Sequence, residues 1–218
     1  MKRFGTAMGL LAAFVLWTLA VCFVDVQAIG PEGSRVGFAG INRFVHEWTG
    51  VHFALYTATD WLSLIPAGLC VGFAALGLTQ WVRRRDIRKV DFDILALGGF
   101  YVAVLAVYLL FEEFAVNYRP VLIEGVLEAS YPSSTTVLVL CVMATAMMQF
   151  RARIRNGRLR RWVLAVCAVF AAFMVIGRAV CGVHWITDII GGVLLSAGLV
   201  TMYASLCGRK GQGFFRRI

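Results

Sequence analysis

The sequence predicts an all-α, polytopic membrane protein with six transmembrane helices and both termini in the cytoplasm. Three observations carry this reading. Hydrophobic residues fill 60% of the 218 positions and charged residues only 15%, a balance that excludes a soluble globular domain. Six apolar stretches, at about 5–26, 61–82, 93–112, 133–150, 162–178 and 185–206, are long enough to span a bilayer, or nearly so. Finally, 17 of the 21 lysines and arginines fall in four places, at 2–3, 83–89, 151–161 and 209–217. These places alternate correctly with six spans if all four are cytoplasmic.

Taken in order, the first stretch exceeds the apolar core of about 7–15 residues found in a cleaved signal peptide, so it reads as a signal anchor. Segment 27–60 is the longest outer loop. Its 36–48 part mixes aromatic and polar residues and is predicted to lie as an interfacial helix, with Trp48, Tyr56 and Trp61 suited to the aromatic belt. His46 and His52, six apart, do not share a helix face; they read as loop or interfacial residues, with a contribution to the outer face as the alternative. Pro66 allows a kink in the second span. The 83–89 and 151–161 segments are short cytoplasmic turns placed to touch anionic headgroups. Topology thus accounts for most of the net charge of +9, and no nucleic-acid partner is implied. Cys22, Cys70, Cys141, Cys167, Cys181 and Cys207 are scattered singly and read as packing residues. No nucleotide loop, zinc motif or EF-hand is present, so no metal or cofactor is expected. Residues 1–218 read as one membrane domain without internal repeats. Gly191, Gly192, Ser196 and Gly198 would permit close helix packing, which leaves the oligomeric state open.

The outer face carries the chemistry. Only Arg35, Arg43, Arg119 and Arg178 lie there, among nine of the twelve acidic residues, so orientation does not explain these arginines. Arg119-Pro120 closes the third span, and Tyr131-Pro132-Ser133-Ser134-Thr135 opens the fourth. Pro120 stops one helix and Pro132 sets up the next. Ser133 and Ser134 then fall at a helix N-terminus, where hydroxyls and unpaired N–H groups make an anion site. Arg178 ends the fifth span with a planar fork suited to phosphate. His184 and Asp188 open the sixth; four apart on a helix, they share a face and can hydrogen-bond, which fixes the imidazole tautomer and leaves the other nitrogen free to attack. Four elements therefore converge at one membrane interface on the chemistry of phosphoryl transfer.

These residues resemble the type 2 phosphatidic acid phosphatases (PAP2), whose motifs K-x6-R-P, P-S-G-H and S-R-x5-H-x3-D are matched at Arg119-Pro120, Pro132-Ser133 and Arg178-x5-His184-x3-Asp188. The resemblance covers about residues 95–206, in the family's order and spacing, and implies a six-span phosphatase core. It implies hydrolysis of a lipid mono- or diphosphate at the outer face of the plasma membrane. The candidates are a polyprenyl diphosphate, phosphatidylglycerol phosphate and phosphatidate. His184 would form a phosphohistidine, Asp188 would orient it, and Arg119, Arg178, Ser133 and Ser134 would hold the phosphate. Among the departures from the family pattern, Glu112 replaces a lysine, Gly177 a serine, and Thr135 the histidine that serves as general acid. A threonine hydroxyl is a poor acid near neutral pH, and a positioned acid contributes roughly 10²–10⁴ in rate. A diphosphate, which expels a better leaving group, would suffer less from this loss. Two other readings stand beside hydrolysis: a lipid-phosphate binding or regulatory protein, and a small transporter or channel. Few intramembrane ionisable groups and no broken midplane helix speak against the last.

Overall fold

The computed structural model describes residues 2–214, with side chains through 208; the side chains of the 209–217 basic cluster lie outside the described residues. Among the described residues, eight α-helices follow in chain order: α1 Lys2–Phe23, α2 Ala39–Thr49, α3 Phe53–Leu62, α4 Leu64–Arg84, α5 Phe92–Glu113, α6 Ser134–Arg153, α7 Gly157–Val180 and α8 Ile186–Phe214. Six helical segments among the described residues are long and apolar enough to cross a membrane. The second, Phe53–Arg84, is 32 residues long and comprises α3 and α4. It starts well before the expected residue 61, so the long outer loop is shorter than its polar residues suggest. The join falls at Ser63, whose backbone stays near helical, and not at Pro66.

Burial separates the spans into two layers. The most apolar stretches of α6 and α8 are 56% and 44% buried, whereas the other four spans are 11–22% buried. The inner pair can therefore carry polar groups, and α6 buries Thr135, Thr136, Thr145 and Gln149. The outer helices show lipid an apolar surface while satisfying their own backbone. Small residues let the inner helices approach their neighbours. A Cβ on Gly198 would lie 2.7 Å from Leu11 of α1, and one on Gly192 would lie 3.1 Å from Thr136 of α6. Phe14, Phe73, Leu97, Phe100, Tyr131, Leu195 and Tyr203 form the main core.

The basic turns gather at one end of the bundle. Arg153 of α6 reaches Asp93 at 2.8 Å and Asp91 at 3.6 Å near the start of α5, and Arg3 lies beside Gly208. At the opposite end a two-stranded hairpin (Gln27–Ala28 with Arg35–Val36) leads into α2. As the sequence predicts, α2 is amphipathic: Ile41, Phe44 and Trp48, at i, i+3 and i+7, are exposed on one face. Its buried Asn42 donates to the Gly37 carbonyl and the Thr187 hydroxyl and accepts from the Thr187 N–H, which fastens α2 over the start of α8.

Candidate active site

Two connections at that end position the site. The first joins α5 to α6. Its chain turns back on itself: Arg119 N–H donates to Glu128 O and Ser130 N–H to Asn117 O, with Tyr118 facing Ala129 in an antiparallel bridge. Residues far apart in the loop, Asn117, Arg119 and Ser130, thereby come to one edge. Tyr131 then anchors the loop in the core through a 2.7 Å hydrogen bond between its hydroxyl and that of Thr18. The second connection, 181–185, joins α7 to α8. Gly182 turns it with φ +72°, and a Cβ there would meet the Gly50 carbonyl oxygen at 2.0 Å. The loop is held by His52 N–H to Cys181 O at 2.9 Å, by His46 Nε2 near Gly182 O at 3.1 Å and by Trp185 Nε1 to Tyr118 O at 2.7 Å.

His184 lies in this second loop, before α8 begins at Ile186. The expectation of a helical His184–Asp188 pair is therefore corrected: among the described residues the two side chains form no ion pair. Asp188 instead folds back on its own helix start. Its carboxylate accepts from Trp185 N–H at 3.0 Å, Asn117 Nδ2 at 3.1 Å and Ser130 Oγ at 2.5 Å. Ser130 Oγ also lies 3.0 Å from His184 Nδ1, so a serine stands between the two.

The other imidazole nitrogen, Nε2, faces Arg119 NH1 at 3.4 Å and Arg178 NH2 at 3.5 Å. Both arginines are buried, with 8% and 2% of their surfaces exposed. Tyr56 of α3 sits beneath them, its ring centre 5.9 Å from the Arg119 guanidinium and 4.9 Å from that of Arg178, an arrangement that eases two neighbouring cations. The sequence assigned Tyr56 to the aromatic belt; Trp48 and Trp61, 81% and 69% exposed, are the residues placed for it. Glu128 forms a 2.9 Å ion pair with Arg119, and Arg178 also donates to Thr59 Oγ1 at 3.4 Å. The Glu128 carboxylate meets Arg119 at its Nε, whereas the Nε of Arg178 is buried without a hydrogen-bond partner among the described residues. A buried guanidinium donor without a partner marks a place for an anion. Burial, reinforced by the two arginines, holds the His184 imidazole well below its usual pKa, so it is neutral near pH 7.

The remaining expected residues divide. Ser133 holds the N-cap position of α6 without a side-chain cap and is fully buried; its hydroxyl accepts from Thr136 Oγ1 at 3.1 Å and its N–H donates to the Asp188 carbonyl at 3.2 Å. Ser134 and Thr135 line a cavity of about 570 Å³ together with His184, Arg119 and Glu112. This cavity continues between α4, α5 and α6 along Cys70, Tyr101, Leu105 and Val142. At Gly177, where the resemblance has serine, a Cβ would lie 2.9 Å from Thr59 Cγ2, so a residue of α3 occupies that place. His46 and His52 brace the loop and do not line the cavity. Sequence reasoning assigned no role to Ser130, Asn117 or Thr59. A hydroxyl two residues before Pro132 and an asparagine two before Arg119 were the available signals. Among the described residues, no group of three His, Cys, Asp or Glu side chains is arranged to hold a metal ion.

Fold and site together define a multi-pass helical membrane protein with a buried histidine between two arginines. A model of the PAP2 superfamily matches residues 99–211, just over half of the chain, and the protein belongs to that superfamily. Its fold is similar to that of the crystal structure of a transmembrane PAP2-type phosphatidylglycerolphosphate phosphatase from Bacillus subtilis. That likeness has a TM-score of 0.54 at 17% identity, over 97% of this chain and 96% of the other. No curated protein matches the chain.

Proposed function

We propose that the protein removes a phosphate group from a membrane lipid through a phosphohistidine on His184. The observation that carries this reading is the convergence of two buried arginines on the Nε2 of a neutral histidine. Nε2 attacks phosphorus with its lone pair, the bond from phosphorus to the lipid oxygen breaks, and that oxygen leaves with the electron pair. Water then attacks the phosphohistidine, releasing inorganic phosphate and restoring the imidazole. Spread negative charge on the transferring group is met by Arg119, Arg178 and Ser134, preorganised donors in a site largely shielded from water. The 3.4–3.5 Å contacts to Nε2 are at the long end for hydrogen bonds, so the guanidiniums are free to turn onto phosphate oxygens. Ser133 acts from beneath, holding the Asp188 backbone.

The apolar walls of the cavity suit an acyl or prenyl chain, which keeps polyprenyl diphosphate, phosphatidylglycerol phosphate and phosphatidate as candidate substrates. Thr135 tilts the choice toward a diphosphate. The site is read as facing outward from the plasma membrane, with both termini cytoplasmic. The purified protein should release inorganic phosphate from at least one such lipid and be unaffected by EDTA. Vanadate should inhibit it by mimicking five-coordinate phosphorus, and His184→Gln should abolish turnover. Restoration of activity by metal after chelation would overturn the mechanism. The second reading, a lipid-phosphate binder without turnover, draws on Thr135 at the acid position; binding of these lipids with no phosphate release would favour it.

A further inference from the structure

We propose that Ser130 is a positioning residue that links Asp188 to His184 and holds the imidazole in its Nδ1–H tautomer, leaving Nε2 unprotonated toward the two arginines. The argument comes independently from the two sides of the ring. On the Nδ1 side, Ser130 Oγ lies 2.5 Å from Asp188 Oδ2 and 3.0 Å from Nδ1. An ionised carboxylate only accepts, and a serine has one proton to give. With Asp188 ionised, that proton goes to Asp188, because two oxygens cannot sit this close with lone pairs facing. Ser130 is then left only with lone pairs toward the ring, so Nδ1 carries hydrogen and donates. On the Nε2 side stand two guanidinium groups, which only donate. A proton on Nε2 would face them, so the ring accepts there. Both sides require the same tautomer.

The relay exists because neither end can move to the other. Asp188 is fixed by Trp185 N–H and Asn117 Nδ2, and His184 is fixed in the loop turned by Gly182. Ser130 is set between them by its N–H to Asn117 O at 2.9 Å and by the anchored Tyr131 that follows it. When the ring gains positive character at the phosphohistidine stage, the same two hydrogen bonds connect it to a fully buried carboxylate. The kinetic consequence rests on His184 being the nucleophile; the tautomer does not.

The chain has three histidines, so 15N-histidine NMR of the detergent-solubilised protein is tractable, with His184 assigned by the signals lost in His184→Gln. The expected result is an Nδ1–H, bare-Nε2 pattern for His184. An Nε2–H pattern in the unaltered protein would overturn the proposal whatever its activity. Ser130→Ala, checked for monodisperse elution, should lower kcat with KM little changed, by up to the roughly 10⁴-fold that a wrong tautomer costs, and Ser130→Thr should recover part of the loss. In the Ser130→Ala/Asp188→Asn double variant the two losses should not multiply, because they break one chain. Multiplying losses, or an unchanged kcat in Ser130→Ala, would count against the relay. A failure of the unaltered protein to release phosphate would instead overturn the proposed function and leave the tautomer result standing.

Discussion

At the scale of single residues, the site is a charge problem solved by burial. Two cations and a neutral imidazole share a small volume, where Glu128 is the one ion-pair partner among the described residues and the Nε of Arg178 is left unpartnered. Because His184 is held below its usual pKa by burial and by Arg119 and Arg178, protonation of its imidazole begins only well below pH 6.5. The acidic limb of kcat/KM due to this group should therefore fall below the ordinary histidine range of about 6.5. An acidic limb centred at or above that value would show that His184 is not so shielded. Stability follows the same sign. The unfolded chain binds this proton first as pH falls through about 6.5, so His184 should erode stability from there down to its lower folded value. Arg178→Lys should also lose most turnover, since a point charge on a flexible stem cannot reproduce a planar fork between Tyr56, Thr59 and phosphate. Retention of more than about a tenth of kcat in a phosphate-release assay would argue that charge alone suffices. Arg119, Arg178, His184 and Asp188 were legible in the sequence, because an ionisable group beside an apolar span demands a reason. Ser130 and Tyr56 were not. Ser130 meets His184 across 54 residues only because the loop doubles back, and Tyr56 reaches the arginines only because the second span begins eight residues early.

At the scale of elements, the loops before α6 and α8 carry the candidate site residues and the outer helices brace them. The spans themselves were readable from hydropathy, since a bilayer sets both their length and their polarity. Segment 27–60 was misjudged in part. The polar Thr57, Thr59 and Asp60 look like loop residues, yet α3 is helical; Thr59 faces Gly177, and its hydroxyl is satisfied by the Leu55 and Tyr56 carbonyls. The brace on the His184 loop makes a sharp prediction at Gly182. Its φ of +72° is costly for any other residue, and a Cβ would strike the Gly50 carbonyl at 2.0 Å. Gly182→Ala should therefore displace the loop, costing about 2 kcal/mol or more and most of the activity. Gly33 has a similar φ of +73° with open space around it, so Gly33→Ala measures the backbone term alone. Equal shifts in thermal unfolding for the two variants would mean that the contact with Gly50 contributes nothing.

At the scale of the whole molecule, the bundle has its basic turns at one end and its site at the other, with a cavity running from His184 down between α4, α5 and α6. Single cysteines introduced into the 151–161 turn should be inaccessible to membrane-impermeant reagents from outside; labelling there would reverse the proposed orientation. The same geometry decides where a leaving group goes. In the proposed mechanism, attack by Nε2 would expel the lipid oxygen away from His184, into the cavity that Thr135 lines, which would put a proton donor at 135 on the departure side. Thr135→His should then raise activity on lipid monophosphates on the order of 10²–10⁴-fold and change activity on diphosphates much less, because only the former expel an alkoxide. Equal gains on both classes would mean that leaving-group protonation is not what threonine limits. If the unaltered protein already turns over both classes rapidly, an acid must come from elsewhere. The structure then redirects the search. His46 and His52, the first candidates from sequence, contact backbone carbonyls outside the cavity. Glu112 lines the cavity in the place of the family's lysine and forms no ion pair among the described residues, so Glu112→Gln is the variant whose loss of monophosphate turnover would identify it as the donor.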